Sequence, residues 1–227
     1  MEFEKLVNTR KSIRGYKPDP IPREVIDEII SLAKRAPSST NAQPWYVHVV
    51  TGEPLNRIRE EVSQMAISGS ETVRDYQRKE GYEGVYRDRQ IEIAAKLFKK
   101  MGIERADKQK RIEWTLRGFR QFDAPVSIVL SYDKLMEPAA VSQFDIGAMA
   151  YGICLAAWDK GLGTIVNGQG VMYSNVVRKH AQIPDDQNIM ICIAMGYPDD
   201  TFPANEVVSP RVPNEDFVKY VGFNNNK

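Results

Sequence analysis

The segment FDIGAMAYGICLAAWDKGLG, Phe144 to Gly163, limits the possible folds more than any other stretch of this chain. Asp145 suits an N-cap and Gly161 lies just past the last helical residue, so the spacing predicts a helix between them. That helix is apolar on nearly every side and carries Gly147, Ala148, Ala150, Gly152, Ala156 and Ala157. Having no polar face to offer solvent, it must run through the middle of a domain or along a subunit interface, where small residues let backbones approach closely.

The flanking segments supply a sheet for it to pack on. PREVIDEIISLAKR, Pro22 to Arg35, sets Val25, Ile26, Ile29, Ile30 and Ala33 on one helical face, with Pro22 in the first turn and Pro37 as the stop. WYVHVVTG, Trp45 to Gly52, reads as a strand, and His48 within it reads as a packed strand residue rather than a catalyst. APVSIVLSY, Ala124 to Tyr132, and NIMICIAMGYP are continuous apolar runs that fit buried strands. TIVNGQGV is a short strand entering a glycine-rich turn, and SNVVRKHAQIP is a helix. Strands and helices alternate around a mostly buried sheet, so the class is α/β or α+β.

Between Leu55 and Arg120 the chain is strongly charged, with aliphatic and aromatic residues every three or four positions. This fits exposed amphipathic helices joined by glycine loops, or a lid over a site, with Tyr76, Tyr82 and Tyr86 too sparse for a core of their own. The tail FPANEVVSPRVPNEDFVKYVGF has three prolines and little periodicity, so its order depends on docking.

Composition narrows the function. Lys plus Arg number 31 against 30 Asp plus Glu, which disfavours a nucleic-acid partner. Cys154 and Cys192 sit apart in apolar runs, as inert thiols of an intracellular protein do. With His48 and His180 as the only histidines, no cluster has metal spacing. The N-terminus has no apolar core of secretory length and no stretch approaches 18 apolar residues, so the expectation is a cytoplasmic protein without a membrane partner. No Gly-x-Ser-x-Gly and no P-loop are present, and the Gly-x-Gly of GLGTIVNG follows a helix, the reverse of the dinucleotide-binding order.

What remains are cations and amides near the ends of elements. In RKSIRGY, alternate residues Arg10, Ser12 and Arg14 project to one side of an extended segment, a surface suited to a phosphate and a planar polar edge. APSSTNAQPW crowds Ser38, Ser39, Thr40, Asn41 and Gln43 between two prolines that stiffen the loop.

These stretches occur in the order RKSIRGYKPDPIP, APSSTNAQPW, APV, FDIGAMAYGICLAAWDKGLGT, NGQG, MGYP and SPRVP. In this order the chain resembles the FMN-dependent nitroreductase family from about residue 8 to residue 223, and most of all its nitrobenzoate-reductase branch. The resemblance implies an α+β nitroreductase-like fold: a central, mostly antiparallel sheet flanked by helices, in an intertwined homodimer with two FMN sites at the interface. It implies one domain over 1–227, with 60–120 as a helical lid-like excursion and 202–227 as a dimer-embracing tail.

By position, Arg10 and Ser12 match contacts to the FMN phosphate and ribityl chain, with Lys11 beside them. Arg14 matches the cation near flavin N1 and O2. Pro37, Ser38, Ser39, Asn41 and Gln43 match the loop that meets the flavin from the partner chain or borders its face. Gly168, Gln169 and Gly170 match the turn whose backbone N–H faces N5, and Arg211 matches the late phosphate-binding arginine. Lys11 stands where Arg or His is common, and residues 60–120 are longer and more charged than in compact members.

The implied activity is NAD(P)H-dependent, ping-pong reduction of small nitroaromatic compounds, nitrobenzoate included, with quinones as further acceptors and no dedicated catalytic side chain. Reductive dehalogenation of a halogenated phenol, flavin fragmentation, and a non-enzymatic flavin-binding or flavin-storage role stay open beside it.

Overall fold

The computed structural model describes residues 1–77, 79 and 81–223. Arg78 and Glu80 of the charged excursion and residues 224–227 of the tail lie outside the described residues. In chain order the elements are α1 (Phe3–Thr9), α2 (Arg23–Ala33), β1 (Trp45–Thr51), α3 (Gly52–Ser68), α4 (Gly84–Lys100), α5 (Lys108–Phe119), β2 (Val126–Asp133), α6 (Ala140–Asp159), β3 (Gly163–Asn167), α7 (Ser174–Ala181) and β4 (Gln187–Gly196).

The strands form one sheet in the order β1-β2-β4-β3, every neighbouring pair antiparallel. The class is therefore α+β. Side chains alternate across a strand, and β2 shows where each face goes. Val126, Ile128, Leu130 and Tyr132 pack with Ile26 and Ile29 of α2 and Ile146, Met149 and Ile153 of α6. Val129, between them, packs on the opposite face with Ile58 and Val62 of α3 and Val176 and Val177 of α7. Because helices cover both faces, the two central strands read as unbroken apolar runs even though the sheet is antiparallel.

α6 begins at Ala140, shortly after Pro138, so Asp145 is an interior helical residue, 3% exposed, and not the expected N-cap. Of the two places expected for it, the middle of the domain accounts for only part of its surface: Val141, Phe144, Gly147 and Tyr151 form an exposed stripe at helical spacing in the single chain, with Phe144 79% exposed. At 20 residues it is also long and apolar enough to span a membrane, which corrects the expectation that no stretch comes close, although half of its apolar window is packed inside the fold. α2 starts at Arg23 with Pro22 as N-cap instead of inside the first turn.

The charged excursion folds into α3, α4 and α5, and its outer part has a small core of its own. Ile93 and Leu97 of α4, Met101 just past its end and Trp114 of α5 pack with Phe202, Ala204 and Val207. The tail is thus docked at its start, and this docking positions one wall of the site described next.

Candidate functional site

Residues 10–16 leave α1 as an extended segment beside β3. Ser12 bridges Thr164 in parallel and Ile13 N–H donates to Thr164 O at 3.0 Å. The alternation expected of this segment is present from Ser12 to Gly15: Ile13, 1% exposed, and Gly15 are buried, while Ser12 and Arg14 are half-buried. Before Ser12 it is absent, since Arg10 and Lys11 are both half-buried.

The segment is locked by Asn205, which sequence reasoning missed. Asn205 Oδ1 accepts from Arg14 N–H at 2.7 Å and Gly15 N–H at 3.1 Å, and its Nδ2 donates to Gly15 O at 2.8 Å and Asp199 O at 2.9 Å. Phe202 packs so closely on Gly15 that a Cβ there would lie 2.1 Å from its ring. The stretch FPAN, Phe202 to Asn205, was visible in the tail, but nothing local ties it to a segment 190 residues away.

Arg117, at the end of α5, joins this wall. Its Nη2 donates to Arg14 O at 3.1 Å, its Nη1 pairs with Asp123 at 3.4 Å, and its guanidinium lies 4.8 Å from the Phe202 ring centroid. The neighbouring carbonyl of Gly118 accepts from Asn167 Nδ2 at 2.7 Å, and Asn167 Oδ1 accepts from the N–H groups of Gln169 at 2.9 Å and Gly170 at 3.3 Å. The end of α5 therefore links the Arg14 segment to the Gly168–Gly170 turn, with Asn167 as the brace.

The electrostatics of this region ask for an anion. Arg14 donates from Nη1 only to Ser12 O, at a long 3.4 Å, and no carboxylate among the described residues pairs with it. Burial holds its pKa below the usual guanidinium value, partly opposed by the nearby Tyr16. The Arg117 pKa is lowered by burial too. Nε of Arg10 and Nε of Arg117 are buried without hydrogen-bond partners. Buried donors and cations without partners are costly, by about 1–3 kcal/mol for each unsatisfied group. A ligand carrying phosphate or an electron-rich carbonyl edge would supply acceptors of the kind that Arg14 and Nε of Arg10 lack.

The Pro37–Gln43 loop lies elsewhere in the single chain. Pro37, Ser39, Asn41 and Gln43 are exposed and Ser38 is half-buried. Thr40, Asn41 and Gln43 hold φ of 48°, 61° and 48°, the left-handed region that non-glycine residues occupy at a cost. The shape is maintained by Ser39 N–H donating to Asp145 at 3.1 Å and Gln43 N–H donating to Ser38 Oγ at 3.0 Å. No hydrogen bond among the described residues joins this loop to Arg10–Arg14 or to the turn. It is tied instead to α6, through the buried Asp145. Arg211 is also apart: it is exposed, donates to Ser209 O and Pro210 O at 3.0 Å, and borders a cavity of about 400 Å³ with Arg89 and Ile93 of α4.

Among the described residues no group of three His, Cys, Asp or Glu could hold a metal ion. His48 Nε2 is engaged by Ser131 Oγ and Gln187 Oε1, both at 2.9 Å, within the sheet. The arrangement is that of an α+β protein with a cationic wall, paired with a carboxylate only at Arg117 among the described residues, and an amide turn braced by Asn167.

The model of the Nitroreductase family matches residues 7–197, and this chain belongs to that family. A chloronitrobenzene nitroreductase of Comamonas testosteroni is 31% identical over 222 residues, 96% of each chain. A 4-nitrobenzoate reductase of Pseudomonas putida is 27% identical over 224 residues, 98% of this chain and 96% of its own. The crystal structure of the FMN-dependent nitroreductase NfnB of Mycobacterium smegmatis in complex with NADPH superposes with a TM-score of 0.89 at 26% identity, over 96% of this chain and 97% of that one.

Proposed function

We propose that this chain is an FMN-dependent NAD(P)H oxidoreductase that reduces nitroaromatic compounds, with quinones as further acceptors. The observation that carries the reading is the half-buried set of Arg10, Arg14 and Arg117, in which Arg14 has no carboxylate partner among the described residues and Nε of Arg10 and of Arg117 has no hydrogen-bond partner, with Arg117 tied to the Arg14 carbonyl and the next residue, Gly118, tied to Asn167. FMN fits this set, because its phosphate and its N1–O2 edge are the anionic groups those donors lack. When bound, FMN supplies a two-electron carrier that takes hydride from NAD(P)H and passes it to the acceptor.

The protein's part is binding, orientation and electrostatics. Arg10, Lys11 and Ser12 hold the phosphate and ribityl chain, with Arg211 as a further phosphate ligand. Arg14, fixed by Asn205, sets a positive charge where negative charge accumulates on reduction, which favours the reduced form. Gly168, Gln169 and Gly170 form the turn that would face N5, and since Asn167 Oδ1 takes the N–H groups of Gln169 and Gly170, the Gly168 N–H is the one that would be offered to it. Pro37, Ser38, Ser39, Asn41 and Gln43 form a wall of the site from a second copy of the chain. A homodimer is supported by the uncovered apolar stripe of Val141, Phe144, Gly147 and Tyr151 on α6, which a second copy would cover. In this reading the chain is one domain, with 60–120 as a helical cover and the 202–227 tail embracing the partner. Its two free buried cysteines suit the cytoplasm.

Purified protein supplied with FMN is expected to retain the yellow flavin through gel filtration, elute as a dimer, and bleach under anaerobic NADH or NADPH. Colourless protein that takes up no FMN would overturn the proposal. If bleached protein is reoxidised by a halophenol faster than by a nitroarene, the activity is dehalogenation instead.

A further inference from the structure

One relative of this chain is named for a neutral nitroarene and another for a carboxylate-bearing one. Residues of the charged excursion bear on which kind of acceptor this chain takes. After α3 the chain returns to the fold through Val73, whose N–H donates to Met172 O and whose carbonyl accepts from Ser174 N–H, both at 2.9 Å. Asp75 then anchors it from below. Its carboxylate accepts from Arg178 Nη2 and Ser174 Oγ, each at 2.5 Å, and from Ile189 N–H at 2.8 Å. Two flanking residues so firmly tied leave Arg74 on a fixed backbone.

From that position Arg74 reaches toward the turn. Its Nη1 donates to Gly168 O at 3.4 Å and to Tyr76 OH at 3.2 Å, and its guanidinium lies 5.8 Å from the Tyr76 ring centroid. Both bonds are long and leave from one nitrogen, so the rest of the guanidinium fork is available for a carboxylate. No carboxylate among the described residues pairs with it. Arg74, Tyr76, Tyr82 and Met172 line an open cavity of about 480 Å³, within the size range of small-molecule sites. The other cation lining the cavity among the described residues, Lys79, is paired with Glu83 at 3.2 Å. The cavity thus has aromatic and thioether walls and, among the described residues, Arg74 as a cation without a carboxylate partner next to Gly168.

We infer that this cavity is the acceptor site and that Arg74 selects anionic aromatic acceptors, taking their carboxylate in its guanidinium fork while the ring lies against Tyr76 and Met172. The inference rests on the flavin reading above, which puts the Gly168–Gly170 turn beside the reactive end of the cofactor. Arg74 is a specificity-determining residue here; it holds the substrate at the end away from the reacting nitro group.

The test separates the two claims. Benzoate, which cannot be reduced, is titrated into the flavin-loaded protein by calorimetry, and KM is measured for 4-nitrobenzoate and nitrobenzene, in wild type, Arg74→Met and Arg74→Lys. Wild type is expected to bind benzoate with an affinity that falls as salt rises, and to have the lower KM for 4-nitrobenzoate. Arg74→Met should weaken benzoate binding and raise the 4-nitrobenzoate KM roughly 10- to 100-fold, as expected for losing a charge-assisted pair, while changing the nitrobenzene KM by a much smaller factor. Arg74→Lys should recover part of the loss. Failure of benzoate to bind, or an equal effect of Arg74→Met on both nitroarenes, would overturn the inference. Because the titration needs no turnover, it decides the inference even if neither nitroarene is reduced, a result that would count against the flavin reading alone.

Discussion

Replacing Asn205 by alanine tests how the cationic wall is held in place. Asn205 is 4% exposed and makes four hydrogen bonds with heavy-atom distances between 2.7 and 3.1 Å, three of them to the backbone of Arg14 and Gly15. Buried bonds of this kind contribute roughly 1 kcal/mol each, so the truncation should cost about 4 kcal/mol. That is a large share of the 5–15 kcal/mol typical of a folded domain. With a urea m-value of roughly 2.5 kcal/mol/M, the midpoint should fall by about 1.5 M at unchanged slope. FMN affinity should fall as well, because Arg14 would then have to be ordered at the expense of binding. The assay is paired urea denaturation of the apoprotein and FMN titration. A midpoint shift below about 0.3 M, together with unchanged FMN affinity, would refute the claim that Asn205 fixes the wall.

Further outcomes follow from other contacts. Arg14→Met should weaken FMN binding at least about tenfold and lower the flavin potential, yet leave apoprotein melting unchanged or higher, since it removes a buried cation with no carboxylate partner; an unchanged potential would count against its role. A Cβ on Gly170 would lie 2.6 Å from Cys192 Sγ and 2.7 Å from Gln121 Cγ, so Gly170→Ala should cost about 1–3 kcal/mol and distort the turn, which calorimetry and FMN titration can check. Burial, the main cause, together with the nearby Arg178, holds the His48 pKa below 6.5, so the unfolded chain takes up that proton first. Stability should therefore decline as pH falls below about 6.5 toward the folded-state value, and His48→Gln should flatten that part of the melting profile. Burial pushes the Cys192 thiol up to about 12, so native protein should resist thiol reagents at neutral pH and react only when unfolded.

Much of this molecule is legible in local sequence. Apolar runs located β2 and β4, helical spacing located α2, and alternation located the exposed side of Ser12–Arg14. The parts that are not legible depend on contacts across the chain. Asp145 looked like a helix cap because it precedes an apolar run, yet α6 starts five residues earlier and the carboxylate serves the Ser39 amide in a distant loop. Asn205 and Arg117 carried no pattern at all: one lies in a proline-rich tail and the other in a charged stretch. Only the fold brings both to the Arg14 backbone. The sequence left open whether α6 is covered by its own domain or by another subunit, because an apolar residue facing the core and one facing outward read alike.

The most direct test of the central claim is a single anaerobic turnover. Flavin-loaded protein, reduced with one equivalent of NADPH and freed of nucleotide, is mixed with 4-nitrobenzoate while the flavin absorbance and the nitroarene are followed together. The account predicts that the yellow colour returns as the nitro compound is consumed, one two-electron equivalent for each flavin. Protein that stays bleached while the nitroarene is untouched would contradict it.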